Sequence, residues 1–132
     1  MSHRIPVTVE TSHDPLSRMR VYQLACELIP DCFEDARALQ AEPITAENAG
    51  QLYAAVSSIE AHISEGYSRS SGKDRARIFE YALGSVRESM SWYRSSMPVL
   101  GEPKAKNRRD RLEEMRRLLL AIIPRERGKK MK

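Results

Sequence analysis

Three histidines, a scatter of glutamates and a basic C-terminal run are the residues in this 132-residue sequence with chemistry to offer. A dinuclear metal site in a helical protein needs a Glu-x-x-His pair on each of two helices, with further glutamates facing inwards. Such a pair occurs only at Glu10-Thr11-Ser12-His13, ahead of the first periodic segment. Glu60 and His62 stand two apart, so a helix turns them to different sides. His3 shares the aperiodic N-terminal stretch, and Ser58, four before His62, lacks the signature of a nucleophile with its base. No Gly-x-Gly-x-x-Gly or Walker-type loop occurs, and Ser71-Gly72-Lys73 is too short to cradle a phosphate. The expectation is a non-enzymatic protein with no metal, no cofactor and no catalytic residue.

Two further groups bear weighing. Glu65 and Glu88 lie on mostly apolar stretches, with Arg69, Arg75 and Arg87 within plausible reach. A carboxylate pair of this kind could do acid–base work. Without other catalytic groups nearby, they are read instead as ion-paired or capping residues that fix a hairpin or a subunit contact. Met90, Trp92, Tyr93 and Met97 recur at helical spacing, which points to packing rather than a binding box. Trp92 is off the main stripe and suits an oligomer interface.

The elements that must position these residues are helices. Ile59, Ile63, Ile78, Ala82 and Val86 follow a helical period on either side of Gly66 and a polar turn at 67–72. Gly66 reads as a left-handed helix stop, and Ser71-Gly72-Lys73-Asp74 as a capping box that opens the next helix. Upstream, Asp14-Pro15 predicts a cap and first turn for a helix ending near Gln40, kinked or broken near Leu28–Pro30 by its proline. Thr45 is expected to cap the second helix, and Gly50 within it suggests a close neighbour. The third helix is placed at about Lys73–Met97, with Gly84-Ser85 admitting another backbone. Pro98–Pro103 breaks the pattern. The fourth helix spans about Lys104–Ile123 and ends at Pro124. The sequence thus divides into a flexible arm (1–13), a four-helix bundle (14–124) and a basic tail (125–132).

Composition agrees with this division. Hydrophobic residues make up 41% and charged residues 30%, with only 6% aromatic, which favours amphipathic helices over a sheet. No apolar run approaches the roughly 18 residues of a membrane span, and the N-terminus lacks the pattern of a signal peptide. Cys26 and Cys32 lie on one predicted helix and match no zinc spacing, so they read as small buried hydrophobes in a reducing cytoplasm. The net charge of +4 is uneven. Residues 104–132 carry 12 Lys and Arg against 4 Asp and Glu, whereas residues 1–103 are net acidic. Arg108, Arg109, Arg116, Arg117, Arg125, Arg127, Lys129 and Lys130 are therefore the candidate phosphate contacts, and Arg108, Arg109, Arg116 and Arg117 are expected largely on the face away from the core.

The hairpin resembles a bacterial family signature. Its first half is an Ile-x-x-Asn-Ile-Ala-Glu-Gly-x-x-Arg segment, here Ile59-Glu60-Ala61-His62-Ile63-Ser64-Glu65-Gly66-Tyr67-Ser68-Arg69. Its second half is Ala-x-Gly-Ser-x-x-Glu, here Ala82-Leu83-Gly84-Ser85-Val86-Arg87-Glu88. Arg20–Ala25 also resembles the family's first helix. His62 stands where the signature has asparagine, and Ser64 where it has alanine. The family is that of the 23S rRNA-intervening sequence proteins, more distantly similar to the accessory protein of diversity-generating retroelements. The resemblance implies an all-α, left-handed, up-down-up-down four-helix bundle assembling as a homopentamer, with no established enzymatic activity. It gives His62, Glu65, Gly66, Arg69, Gly84, Ser85 and Glu88 the role of a structural hairpin motif. The retroelement relative is a basic pentamer that binds nucleic acid and a reverse transcriptase. A ring of five basic helices would multiply a weak phosphate attraction by on the order of a hundredfold.

Two readings follow. One is a cytoplasmic homo-oligomer that binds RNA or DNA through residues 104–132, with little sequence specificity because no aromatic residue separates the arginines. The other is a scaffold that docks a polymerase- or nuclease-type protein on apolar surface including Trp92 and Leu100. Neither involves a membrane.

Overall fold

In the computed structural model, which describes residues 14–128, every long element is a helix. These are α1 (Arg20–Gln40), α2 (Ala46–Tyr67), α3 (Gly72–Ser95), a single turn α4 (Met97–Leu100) and α5 (Glu102–Arg127). Among the described residues there is no strand. Cross-helix contacts fix the directions. Tyr22 donates to Glu60 and Phe33 meets Tyr53 edge-on, so α1 and α2 are antiparallel. Ser58 reaches Ser85 while His62 lies by Tyr81, reversing α3 on α2. Arg75 pairs with Glu126, and Asp35 with Arg108, which sets α5 antiparallel to both α3 and α1. The four long helices therefore close around one core, with Leu28, Leu52, Ile59, Phe79, Tyr93, Leu112, Met115 and Leu119 almost wholly buried.

Several expected boundaries are corrected. Asp14 does cap, accepting the Leu16 amide at 3.0 Å, but it opens a 3-10 turn (Pro15–Arg18); α1 begins after an extended Met19. Pro30 does not break α1, which runs through it unbroken. Contacts with α2 on both sides of the proline, at Tyr22 and at Cys32 and Phe33, anchor both halves against the lost hydrogen bond. Pro124 likewise lies inside α5, which continues to Arg127. The carbonyl it leaves without an amide partner belongs to Leu120, on the solvent side (42% exposed). Pro98 sits in the first turn of α4, where its missing N–H costs least.

The expected caps divide in the same way. Ser71 accepts the amide of Asp74 at 3.1 Å, as the capping box requires, whereas the Asp74 carboxylate turns to Arg77. Thr45 does not cap α2 with its side chain; it is buried, and its hydroxyl donates to the Leu39 carbonyl at 2.7 Å, closing α1 instead. Gly101, at φ 86°, is the joint between α4 and α5 and the one left-handed residue among those described. Gly66 is therefore no left-handed stop. It is helical and buried, and a Cβ there would lie 2.8 Å from two ring carbons of Phe79. Glycine is required by the close approach of α3. Gly50 and Gly84, expected near neighbours, face open space within the chain.

Candidate nucleic-acid interface

The basic helix α5 is amphipathic, but its arginines do not share one role. Leu112, Met115, Leu119 and Ile123 point into the core. Arg108, expected on the solvent face, shares their side. Its Nε lies 2.8 Å from Asp35 Oδ2, and its side chain is 13% exposed against 1% for Asp35. Tyr93 on α3 donates its hydroxyl to the same oxygen at 2.7 Å. Burial alone would lower the Arg108 pKa, but the hydrogen bond and charge of Asp35 outweigh it and raise it. One turn away in space, Arg111 donates to the buried Asp31 at 2.7 Å; burial first, then the Arg108 charge, lowers its pKa. These contacts tie three helices together and withdraw Arg108 and Arg111 from solvent. Sequence reasoning missed the acids. The available signal was Asp31 and Asp35, four apart and interleaved with Leu28, Cys32 and Leu39 on an apolar stripe.

Cys32 lies beside this network, its Sγ 4.0 Å from the Leu52 carbonyl. Burial pushes its thiol up to about 12. Cys26 is buried as well, and burial also raises its thiol pKa.

The other basic residues lie outside the core. Arg116 grips Glu113 with Nε at 2.9 Å, and Arg127 pairs with Glu80 across the α3–α5 seam. Lys106 pairs with Asp110 at 2.7 Å. Arg117 and Arg125 are exposed and have no ion pair among the described residues. Arg109 is half-buried, and its Nε meets no acceptor among the described residues. Lys129 and Lys130 lie outside the described residues, as do the 1–13 arm with His3 and His13. Of the eight candidates, Arg109, Arg117 and Arg125 thus keep a guanidinium not committed to an acid among the described residues.

The hairpin residues hold α2 and α3 together. The Ser58 and Ser85 hydroxyls are hydrogen-bonded to each other at 2.7 Å, and the Ala55 carbonyl accepts from Ser58 at 2.7 Å. Glu65 takes Arg69 at 2.7 Å and has His62 Nδ1 at 4.0 Å, while the His62 ring lies 5.8 Å from that of Tyr81. Glu88 accepts the Trp92 indole N–H at 3.2 Å. Arg75 is taken by Glu126 and by the Arg69 carbonyl, not by either glutamate. Glu65 and Glu88 are not a pair. Gly66 faces Phe79, so Glu88 lies several turns along α3 from the level of Glu65, on the order of 12–15 Å at 1.5 Å per residue. Trp92 and Leu100 are half-buried and pack against the core. Among the described residues, the exposed large apolar ones are Phe33, Ile44, Tyr67, Tyr81 and Leu120.

Among the described residues, no three His, Cys, Asp or Glu side chains gather as a metal site would, and no helix is long and apolar enough to cross a membrane. The family model described as 23S rRNA-intervening sequence protein matches residues 17–121, from the 3-10 turn to the penultimate turns of α5. No curated protein and no solved structure matches the chain.

Proposed function

We propose that this chain, which belongs to the 23S rRNA-intervening sequence protein family, is a non-enzymatic homo-oligomer that holds the phosphate backbone of RNA or DNA. The observation that carries the reading is the basic C-terminal segment, 12 cations against 4 acids on a net acidic body. Arg109, Arg117 and Arg125 supply uncommitted charge on one rigid helix, and Lys129 and Lys130 add to it. Binding comes from counterion release, so affinity falls steeply as salt rises. Filter binding of the full chain to structured RNA and to duplex DNA across a salt series tests this. No retention at low salt, or no loss when Arg109, Arg117 and Arg125 become Gln and residues 129–132 are removed, overturns it.

The assembly we propose is a ring of five left-handed bundles. Exposed Gly50 and Gly84 support close contact between copies, since a Cβ at either would meet nothing within 4 Å among the described residues. Light scattering at micromolar concentration gives five times the chain mass if this holds, and a monomer removes the avidity. A scaffold that docks a polymerase- or nuclease-type protein is the second reading. Its motive is no longer Trp92 or Leu100 but Phe33, 49% exposed and edge-on to Tyr53. Stoichiometric recovery of one protein without nucleic acid would favour it.

A further inference from the structure

The seam between α3 and α5 carries a second row of arginines that the charge count on the C-terminal segment leaves out. On α3, Glu80, Arg87 and Arg94 are spaced by seven, which returns them to one side of the helix. On α5, Arg109, Arg116 and Arg127 are spaced by seven and eleven, again one side. The Glu80–Arg127 bridge shows that these two sides flank the same seam. Two bridges bracket the antiparallel register. Counting from Glu80–Arg127 sets Arg87 opposite Leu120, and counting from Arg75–Glu126 sets it opposite Glu114, an interval that contains Arg116. The same two counts set Arg94 opposite the stretch from Asn107 to Glu113, which contains Arg109.

Arg87 and Arg94 are exposed, and neither has an ion pair among the described residues. Arg109 Nε is buried against the seam without an acceptor. The acids at the seam, Glu80, Glu113 and Glu126, are already paired with Arg127, Arg116 and Arg75. Uncommitted cations therefore flank the seam on both sides, Arg87 and Arg94 on α3 and Arg109 on α5, with the packed helix axes about 8–10 Å apart and Arg87 and Arg94 about 10 Å apart along α3. No aromatic residue lies among them, so the seam offers nothing for unpaired bases to stack on.

We infer that this seam seats double-helical RNA, with Arg87 and Arg94 of α3 on one phosphate row and Arg109 of α5 on the row facing it. A-form RNA has a narrow major groove that side chains do not read, so its two backbones present parallel anionic rims close together. Arginine forks match phosphate oxygens in pairs. The seam offers contacts to backbone and none to base edges, so it selects shape rather than sequence. This rests on the nucleic-acid reading above and specifies its ligand and its surface.

The test uses the full chain and a blunt duplex RNA of roughly 16 base pairs, followed by fluorescence anisotropy over a salt series. Arg87→Gln with Arg94→Gln is expected to weaken binding about tenfold and to lower the slope of log affinity against log salt by about two. Arg18→Gln with Arg37→Gln removes the same charge from exposed positions off the seam and is expected to leave both nearly unchanged. Equal loss in the two double variants overturns the seam while leaving the nucleic-acid function standing. Failure of the wild-type chain to bind any nucleic acid overturns that function instead. Duplex DNA of the same length is expected to bind more weakly, and equal or tighter binding overturns the assignment to RNA. Both double variants alter exposed side chains, and unchanged circular dichroism melting verifies that each is folded.

Discussion

Tyr93 on α3 donates its hydroxyl to Asp35 on α1 at 2.7 Å, with both residues at most 1% exposed. The carboxylate also receives Arg108, so a single buried anion links three of the four long helices.

Removing that anion leaves a guanidinium and a hydroxyl in the core without an acceptor. Asp35→Ala is expected to cost about 3–5 kcal/mol, measured by urea unfolding. Asp35→Leu combined with Arg108→Met should recover most of the loss, because no charge is then stranded. A double variant as unstable as the single one would show that the ion pair, rather than the stranded charge, sets the cost.

Gly66→Ala and Gly84→Ala are the same substitution with opposite expected signs. At Gly66 the new methyl meets the Phe79 ring, and a loss of about 1–3 kcal/mol follows. At Gly84 it meets nothing in the chain, and the gain in helix propensity is up to about 1 kcal/mol. Thermal melting of the two variants decides the sign. If copies pack at Gly84, the second variant is also expected to lose assembly by light scattering.

Alkaline pH should unfold the protein early. In the unfolded chain a thiol ionises near its ordinary value of about 9, whereas burial holds Cys32 protonated up to about 12. Between those values the unfolded state has shed a proton that the folded state keeps, so stability is full below pH 9 and falls as pH rises. The slope is about 1.4 kcal/mol per pH unit for one such group. Burial also raises the Tyr22 and Tyr93 phenols, steepening the fall above pH 10. Urea midpoints measured from pH 7 to 11 check this, with Cys32→Ala expected to flatten the curve.

Thr45→Val is expected to cost about 1–2 kcal/mol, since the Leu39 carbonyl loses its buried donor. Thr45→Ser, which keeps the hydroxyl, should cost less. A valine variant as stable as the parent would show that the bond contributes nothing net.

The hairpin was legible because its signals are local. Ile59, Ile63, Ile78 and Val86 repeat at the helical period, and Ser71 caps within one turn of itself. What stayed hidden depends on neighbours distant in the chain. Pro30 and Pro124 look like breakers until the packing of α1 on α2 and the solvent-facing Leu120 carbonyl are known. Gly66 has the same composition signal whether it turns left or admits a ring; only Phe79 distinguishes the two. The candidate interface was legible as a charge and not as a surface. Arg108 reads like Arg117 in sequence, and nothing short of the fold pairs one of them with Asp35.

Because α5 stays helical past Pro124, the cations of its last turn, Arg125 and Arg127, inherit a fixed bearing. Arg125 and Arg127 are two residues apart, so they project to nearly opposite flanks of the rod, about 200° apart. A nucleic-acid strand lying along one flank would therefore meet only one of them, and the valence it would feel is smaller than the formal charge suggests.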